Sequence, residues 1–303
     1  MASKDLPPLA SGMFSITVKS QLRTKPKRLP KTTDLSGKVV IITGGNTGIG
    51  FESARQFLSF NAAHIIIASR SEAKGKAAVS QLKQEYPKPT IETWALDMNS
   101  YESIHAFVKR VDSLSRLDIA VLNAGLNSPT FNIVPSTGHE ELMQVNYLST
   151  MLLSVLLLPI LKAKSPLDVP GRLSIVSSGT VLMATFPNSR QRPLLKSFDD
   201  QKTSPSPGPD NYSTTKLMGQ MFFSKFVEYV SPDDVIVNLV DPGITRGTEF
   251  LRHFPAIMKV IVPPLLLLIA RSASEGASTY LDAAVGKGKE SHGCFVMDWE
   301  IRP

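Results

Sequence analysis

The chain has 303 residues, of which 42% are hydrophobic and 19% are charged, a composition that can bury a sizeable core and excludes wholesale disorder. Its single cysteine, Cys294, cannot form an internal disulfide and favours a reducing, cytoplasmic compartment, and the first residues lack the apolar core of a secretory signal. The net charge is +7, but seven basic and two acidic residues place +5 of it in residues 1–37. That distribution predicts a basic, solvated N-terminal arm (residues 1–35) before one domain (residues 36–303), and it argues against nucleic-acid binding.

Short β-branched runs alternate with longer helical patterns. The predicted strands cover residues 38–43, 63–69, 91–96, 117–123, 172–177 and 234–240, with a seventh at 294–298. The predicted helices cover residues 48–60, 71–86, 100–115, 138–163 and 211–230. The alternation predicts an α/β fold: a single doubly wound parallel sheet of about seven strands, with helices on both faces. Residues 186–211 hold five prolines and predict a long irregular insertion.

The first strand leads directly into a glycine-rich turn, TGGNTGIG, at residues 43–50. Gly44, Gly48 and Gly50 permit a tight turn whose N–H groups, with that of Ile49 at the helix start, approach a pyrophosphate. These residues match the TGxxxGxG signature, and residues 36–300 resemble the short-chain dehydrogenase/reductase family, whose fold is of the Rossmann type. The segments GHEELMQVNYLSTMLL and SASEGASTYLDAA are similar to its retinol-dehydrogenase-like branch, and the layout of arm and core resembles fungal members active in secondary metabolism.

The residues that follow the second, third and fourth predicted strands indicate which coenzyme binds. Ser69 and Arg70 follow the second strand with a hydroxyl and a guanidinium and no carboxylate, which favours the 2′-phosphate of NADP(H) over the free ribose of NAD(H). A surface arginine covering the sheet is the alternative. The resemblance places Asp97 beside the adenine and Asn123, in an NAG tripeptide, beside the adenine ribose. Leu122 stands where the family motif has another asparagine.

Tyr212 and Lys216 form a YxxxK pair, which puts a phenol and an ammonium on one helix face. The ammonium and an oxidised nicotinamide ring would lower the pKa of the phenol, which then exchanges a proton with a carbonyl or alcohol oxygen while hydride moves at carbon. An ordinary surface pair is the alternative. The resemblance assigns the catalytic serine to Ser178, with Ser177 as the adjacent candidate. It assigns to Asn146 the link between Lys216 and a water-mediated proton relay.

After the sixth strand, the resemblance places Gly243 and Thr245 of a DPGIT run at the nicotinamide, with Thr248 as a second candidate and a plain Pro-Gly turn as the alternative. The apolar residues 261–270 lie where the family has its substrate lid. They predict a hydrophobic polyketide, terpenoid, steroid or retinoid-like carbonyl, or else shallow contact with a membrane. The apolar run 152–161 is shorter than the ~20 residues that cross a bilayer, and it predicts a core or interface helix.

Three hypotheses follow. The first is an NADP(H)-dependent oxidoreductase that interconverts a ketone or aldehyde and an alcohol. The second is a non-catalytic dinucleotide-binding regulatory protein, which would be expected to lose Ser178, Tyr212 or Lys216. The third is a membrane-docked lipid or retinoid-type reductase anchored by the basic arm. HExxH, GxSxG and P-loop motifs are absent, and the five histidines show no metal-ligand spacing, so no metal is predicted. The resemblance implies a homodimer or homotetramer, assembled through the helix at 138–163.

Overall fold

The computed structural model describes residues 3–7, 13–246 and 270–303. Eight strands form one sheet in the order β3-β2-β1-β4-β5-β6-β7-β8. They are β1 (Val39–Thr43), β2 (His64–Ser69), β3 (Thr90–Ala95), β4 (Ile119–Leu122), β5 (Gly171–Val176), β6 (Val235–Asp241), β7 (Phe295–Met297) and β8 (Glu300–Arg302). Strands β1 to β7 pair in parallel and β8 pairs antiparallel with β7. The predicted doubly wound parallel sheet is confirmed. The eighth strand was not predicted, because three residues are too few to show a strand pattern.

Seven α-helices are described in this part of the chain: α1 (Met13–Val18), α2 (Gly48–Ser59), α3 (Glu72–Glu85), α4 (Tyr101–Asp112), α5 (Thr150–Lys164), α6 (Pro209–Phe226) and α7 (Ala273–Leu281). A π-helical segment, Met143–Ser149, leads into α5. The predicted start of this helix at residue 138 is wrong. Gly138 has a φ of 75°, and the preceding segment turns back so that Ile133 and Glu140 form an antiparallel bridge.

The sheet is buried on both faces. Along β1, Val39 and Ile41 belong to one apolar core and Val40 and Ile42 to the other. This division follows from the alternation of side chains along a strand. The sheet is therefore held rigidly between two layers of helices, and the ends of its strands form a fixed platform for the site.

The combined helix Met143–Lys164 has 22 residues and is long and apolar enough to cross a membrane by length and composition alone. The expectation from the run 152–161 was a segment too short to do so. Of its most apolar stretch, 61% is buried within the protein, and Leu153, Leu157 and Leu161 are part of the first core. The helix therefore packs as a core helix of this domain.

The N-terminal arm is not simply solvated, contrary to expectation. Ile16 packs against the first core and Leu29 against the second, while Ser20 and Leu35 are buried. The basic side chains point outwards instead, as in the exposed pair of Lys27 with Glu300. The arm thus follows the surface of the domain and uses its small and apolar residues to attach.

The predicted insertion is irregular between residue 186 and α6, apart from a 3-10 helix at Leu195–Phe198. It is nevertheless packed, since Phe198 is fully buried and Asp199 accepts a hydrogen bond from the backbone of Glu140. Helix α6 begins at Pro209, two residues earlier than predicted, because proline suits the first turn of a helix. Residues 261–269 of the predicted lid lie outside the described residues.

Candidate active site

The residues predicted to form the site meet at the edge where the parallel strands end. From β1 the chain continues to β2 and β3 on one side of the sheet, and from β4 it continues to β5, β6 and β7 on the other side. The strand order therefore reverses between the neighbouring strands β1 and β4. At this edge lie Thr43 of β1, Asn123 after β4, Ser177 and Ser178 after β5, and Asp241 of β6. Such a reversal is where open α/β sheets bind ligands.

The glycine turn connects β1 to α2 at this edge. Gly44 and Gly48 have φ angles of 65° and 58°, in the left-handed region. A Cβ atom at Gly50 would lie 2.6 Å from both the Nδ2 atom of Asn123 and the carbonyl oxygen of Gly44. A larger residue at Gly50 would therefore displace the turn from the strand end.

The first turn of α2 is suited to an anion. The side chain of its N-cap residue, Thr47, accepts no hydrogen bond from the helix, whereas the hydroxyl groups of Ser71 and Ser100 accept backbone hydrogen bonds at the starts of α3 and α4. The first N–H groups of α2 are thus left to a ligand at the positive end of the helix. Ile49, in that turn, packs against the second core and fixes the helix start. These residues fit the pyrophosphate of a dinucleotide.

The side chain of Asn123 holds the glycine turn in place. Its Nδ2 atom donates to the carbonyl oxygens of Thr43 and Gly44, at 2.9 and 3.2 Å. Its Oδ1 atom accepts a 2.9 Å hydrogen bond from the hydroxyl of Tyr280 on α7. Sequence reasoning missed Tyr280, although it lies in the SASEGASTYLDAA segment that supported the resemblance.

Two further residues that were predicted to bind the coenzyme follow the next two strands of the sheet, β2 and β3. Arg70 follows β2 and its side chain is exposed. Asp97 follows β3 and is half-buried, and its carboxylate accepts a 3.0 Å hydrogen bond from the backbone of Asn99. Because β2 adjoins β1 and β3 adjoins β2, the structure places a guanidinium and a carboxylate on one side of the glycine turn.

The structure separates the two serine candidates after β5. Ser178 caps the 3-10 helix Gly179–Met183, and its hydroxyl also forms a hydrogen bond with the hydroxyl of Tyr212. Ser177 is buried and accepts a 3.0 Å hydrogen bond from Gln220 instead. Of the two, Ser178 is therefore the one brought to the tyrosine.

Tyr212 and Lys216 lie one turn apart on α6. The Lys216 Nζ atom is 5.8 Å from the centre of the Tyr212 ring and donates a 2.9 Å hydrogen bond to the carbonyl oxygen of Val176, the last residue of β5. This bond fixes the ammonium beneath the end of β5. The predicted phenol, hydroxyl and ammonium thus lie together at one point of the sheet edge.

The lowering of the tyrosine pKa was predicted with an oxidised nicotinamide ring in place and stays a prediction, while the protein's own groups act in the opposite direction. Burial raises the pKa of Tyr212 to about 12, and the hydrogen bond from Ser178 offsets this only in part. Burial also lowers the pKa of Lys216 to about 8, against the opposing effect of Asp241. Desolvation outweighs the ammonium because Lys216 bonds to a backbone carbonyl and lies beside the ring, away from a direct bond with the hydroxyl.

Residues 38–187 match the family model for short chain dehydrogenase. Over the whole chain, the protein is 51% identical to the short chain dehydrogenase mfmJ of Annulohypoxylon moriforme, of which it covers 88%. The chain belongs to the short-chain dehydrogenase/reductase family. It is also 44% identical to the short chain dehydrogenase virL of Hypocrea virens, over 92% of this chain and 82% of that protein.

Solved structures of the short-chain dehydrogenase/reductase family share the fold. A short-chain dehydrogenase from Sphingobium yanoikuyae in complex with NADPH has a TM-score of 0.59 at 19% identity, over 80% of this chain and 83% of that one. The NADPH-dependent 3-quinuclidinone reductase from Rhodotorula rubra has a TM-score of 0.63 at 20% identity, over 89% and 93%. The predicted family is confirmed, and the protein is an oxidoreductase of this family with fungal relatives.

In this member of the short-chain dehydrogenase/reductase family, Asn146 lies in the π-helical segment and faces Lys216. Its Oδ1 accepts from the backbone N–H of Leu126 and its Nδ2 donates to the Leu126 carbonyl, both at 2.9 Å. A Cβ atom at Gly125 would lie 3.2 Å from the Asn146 Oδ1 and 3.4 Å from the Lys216 Nζ. The amide and the ammonium thus border the same small space, and the proton relay assigned to Asn146 stays a prediction.

The charge of Asp241 is the feature of the site that sequence reasoning overlooked. The carboxylate is buried at the end of β6 and accepts hydrogen bonds from the backbone N–H groups of Gly179 and Gly243. Burial raises its pKa to about 6. Its negative charge raises the pKa values of both Tyr212 and Lys216. The available signal was an acidic residue at the end of a mostly apolar strand.

The loop after β6 carries the remaining predicted residues. Gly243 has a φ of 72°, and the half-buried Thr245 donates a 3.2 Å hydrogen bond to the Gly243 carbonyl. Thr248 lies outside the described residues. Within the described ranges, no group of three His, Cys, Asp or Glu side chains could hold a metal ion.

Proposed function

We propose that this protein is an NADP(H)-dependent oxidoreductase that interconverts a ketone or aldehyde and an alcohol on a hydrophobic small molecule. The observation that carries the proposal is the hydrogen bond between the hydroxyl groups of Tyr212 and Ser178, with the Lys216 ammonium 5.8 Å from the Tyr212 ring. A bound nicotinamide coenzyme supplies or accepts the hydride. Everything else in the reaction is assigned to side chains of this chain.

Tyr212 is the proton donor in the reductive direction. A pKa of about 12 keeps the phenol protonated at neutral pH, so it can give its proton to the substrate oxygen as negative charge develops there. Ser178, already bonded to that hydroxyl, holds the substrate oxygen within reach of it. Lys216 remains mostly an ammonium at neutral pH with a pKa of about 8, and it stabilises the phenolate that proton transfer leaves behind.

The dinucleotide is assigned to the described part of the strand-end edge. The N–H groups at the start of α2, framed by Gly44, Gly48, Ile49 and Gly50, would hold the pyrophosphate. Asp97 and Asn123 would contact the adenosine half, and Gly243 and Thr245 would contact the nicotinamide carboxamide. The exposed guanidinium of Arg70 would pair with a 2′-phosphate, which favours NADP(H) over NAD(H). The NADPH named with two structural neighbours is consistent with that preference.

A hydrophobic substrate is supported by the surface beside Ser178. Leu182 and Met183, on the 3-10 helix that Ser178 caps, are 47% and 49% exposed. The packed insertion continues from this helix and adds Phe186 and Leu194 around Phe198. Together they give the site an apolar wall. Fungal secondary metabolites of polyketide or terpenoid type are the substrate class we propose.

The proposal is tested by following NADPH and NADH oxidation with a panel of lipophilic ketones and aldehydes, using purified wild type and Tyr212→Phe. We expect turnover with NADPH on at least one apolar ketone. The Phe variant should lose at least a hundredfold in kcat, the lower range for general acid catalysis, while binding NADPH within a few-fold of wild type. Turnover by the Phe variant at the wild-type rate would rule out Tyr212 as the acid.

A dimer is the assembly we propose. Val155 on α5 and Met221 on α6 are 43% and 53% exposed, and the half-buried Phe222 and Phe226 on α6 stack at 5.5 Å between ring centres. These side chains give the two helices an apolar outer surface that a second copy can cover. Sedimentation equilibrium of wild type and Met221→Glu tests this, and a monomeric wild type would refute it.

A further inference from the structure

A buried cluster links the N-terminal arm to the far edge of the sheet. The guanidinium of Arg271 forms an ion pair with the Asp298 carboxylate, and these side chains are only 4% and 3% exposed. The same guanidinium donates a 3.0 Å hydrogen bond to the backbone carbonyl of Ser20, and the Ser20 hydroxyl donates to the Asp298 carboxylate at 2.6 Å. The arm is therefore attached through satisfied, buried polar groups, which hold a unique geometry.

The cluster also holds the loop of residues 242–245. Arg271 donates a 3.2 Å hydrogen bond to the Pro242 carbonyl. In the amide orientation that satisfies its neighbours, Gln21 donates to the Ile244 carbonyl at 3.0 Å and accepts from the Ile244 N–H at 3.2 Å. A Cβ atom at Gly243 would lie 2.5 Å from the Arg271 guanidinium and 2.8 Å from the Gln21 amide. The arm thus adds two side-chain bonds to a loop that the backbone of Arg271 already pairs with through a parallel bridge at Thr245.

The hairpin that supplies Asp298 is strained in a way that the cluster explains. Asp298 and Trp299 form the turn between β7 and β8, with φ angles of 58° and 59°. Hairpin turns of this kind favour glycine or asparagine, because other side chains are disfavoured at positive φ. Such strain persists only where the surroundings impose it. Here Asp298 pairs with Arg271, and the Trp299 ring lies 4.6 Å from the guanidinium carbon of Arg271.

We infer that Ser20 and Gln21 are positioning residues for the nicotinamide end of the coenzyme. With Arg271 and Asp298 they form what we call the arm clamp. The inference rests on the proposed function, which places the coenzyme against Gly243 and Thr245. The arm clamp fixes the 242–245 loop from behind, so that Thr245 presents a preset surface to the carboxamide and little ordering accompanies coenzyme binding. The arm is thereby a working part of the coenzyme site.

The deciding variant is Gln21→Met, which keeps the side-chain length and removes both bonds to Ile244. The matched control is Gln84→Met, at an exposed position in the last turn of α3, at the opposite edge of the sheet. Each full-length protein is compared by hydrogen–deuterium exchange at residues 244–246, by fluorescence titration with NADPH, and by kcat and coenzyme KM. For Gln21→Met we expect about tenfold faster exchange and an NADPH Kd and KM raised about tenfold, as for two lost hydrogen bonds, with kcat within threefold.

The exchange and the titration separate the two proposals. Unchanged exchange at 244–246 would overturn the arm clamp, and so would faster exchange with an unchanged NADPH Kd. Failure of the wild type to bind either nicotinamide coenzyme would refute the proposed function, while the exchange rates would still report on the clamp itself. If Gln21→Met does not fold, Ser20→Ala, which removes the hydroxyl that bonds to Asp298 and Arg271 and contacts the Gln21 amide, should show the same pattern more weakly. A fall in melting temperature with an unchanged Kd would assign the arm a purely structural role.

Discussion

The hydroxyl of Tyr280 on α7 donates a 2.9 Å hydrogen bond to the Oδ1 atom of Asn123 after β4. The other end of the same amide donates to the carbonyl oxygens of Thr43 and Gly44. Burial raises the pKa of Tyr280 well above its ordinary value, so the phenol stays a donor at every working pH. A helix late in the chain thus fixes the orientation of the amide that supports the first turn of the coenzyme site.

Replacing Tyr280 with phenylalanine should weaken that turn. The Oδ1 atom of Asn123 would lose its donor, at a cost of about 1–3 kcal/mol in the free energy of unfolding. We also expect a several-fold rise in the NADPH Kd. Urea unfolding and coenzyme titration measure the two effects. Tyr229→Phe, at a position 88% exposed, is the control and should change neither.

The adjacent serines should behave very differently. Ser178→Ala removes the hydroxyl bonded to Tyr212 and should lower kcat by about a hundredfold or more, because the substrate oxygen loses its second hydrogen bond. Ser177→Ala removes only the acceptor for Gln220 and should keep most of the activity. Steady-state kinetics on the ketone found in the panel would decide, and a larger loss for Ser177→Ala would reverse the assignment.

Asp241 should make stability depend on pH. Its pKa is about 6 in the folded protein against 3.8 for an aspartate in the unfolded chain, so folding favours the protonated form. That contribution is fully present below pH 3.8 and is lost as the pH rises through 6, by on the order of 3 kcal/mol. Asp241→Asn lacks this loss. Urea unfolding from pH 4 to pH 8 should therefore show the variant gaining stability relative to wild type as the pH rises, and a constant difference would contradict the assignment.

The alkaline limit of activity should follow Lys216. Its pKa of about 8 predicts that kcat falls above that pH, as the ammonium that stabilises the phenolate becomes neutral. Because the Asp241 carboxylate raises that pKa, Asp241→Asn should move the fall to lower pH. The pH profile of kcat for the two proteins is the measurement. A shift of this fall to higher pH in the variant would show that another group controls the loss of kcat at alkaline pH.

The coenzyme preference should depend on Arg70. Arg70→Glu replaces a guanidinium by a carboxylate and should raise the KM for NADPH at least tenfold, the scale of one lost charge-assisted hydrogen bond, with little change for NADH. Lys83→Glu, on the exposed face of α3, is the control for the change in net charge. Equal effects on both coenzymes would mean that Arg70 does not distinguish them.

Much of the fold was predictable because its signals are local. The buried strands are continuous β-branched runs such as HIIIAS in β2, and their observed ends lie within two residues of the predicted ones. The glycine turn was equally clear, since Gly50 stands where a Cβ atom would meet both Asn123 and Gly44. The positions of Ser178, Tyr212 and Lys216 came from motif spacing together with their place after particular strands.

Features that depend on distant contacts could not be predicted. Ser178 was preferred from its position, but the hydrogen bond that occupies Ser177 was not predictable, because its donor Gln220 lies 43 positions along the chain. The raised pKa of Tyr212 depends on burial and on the charge of Asp241, and the DPGIT run does not reveal that this carboxylate is buried beside the tyrosine. The arm was predicted to be solvated because its composition is rich in lysine and arginine. Composition does not show that a small residue such as Ser20 is buried.

The hydrogen bond between Ser20 and Asp298 joins positions that are 278 residues apart. Contacts of such long sequence separation form late, because loop closure must precede them. During synthesis on the ribosome, the arm and the loop of residues 242–245 therefore stay unjoined until both Arg271 and Asp298 have been made. A chain that stops short of Asp298 would leave the Arg271 guanidinium and the Ser20 hydroxyl without the carboxylate that joins them.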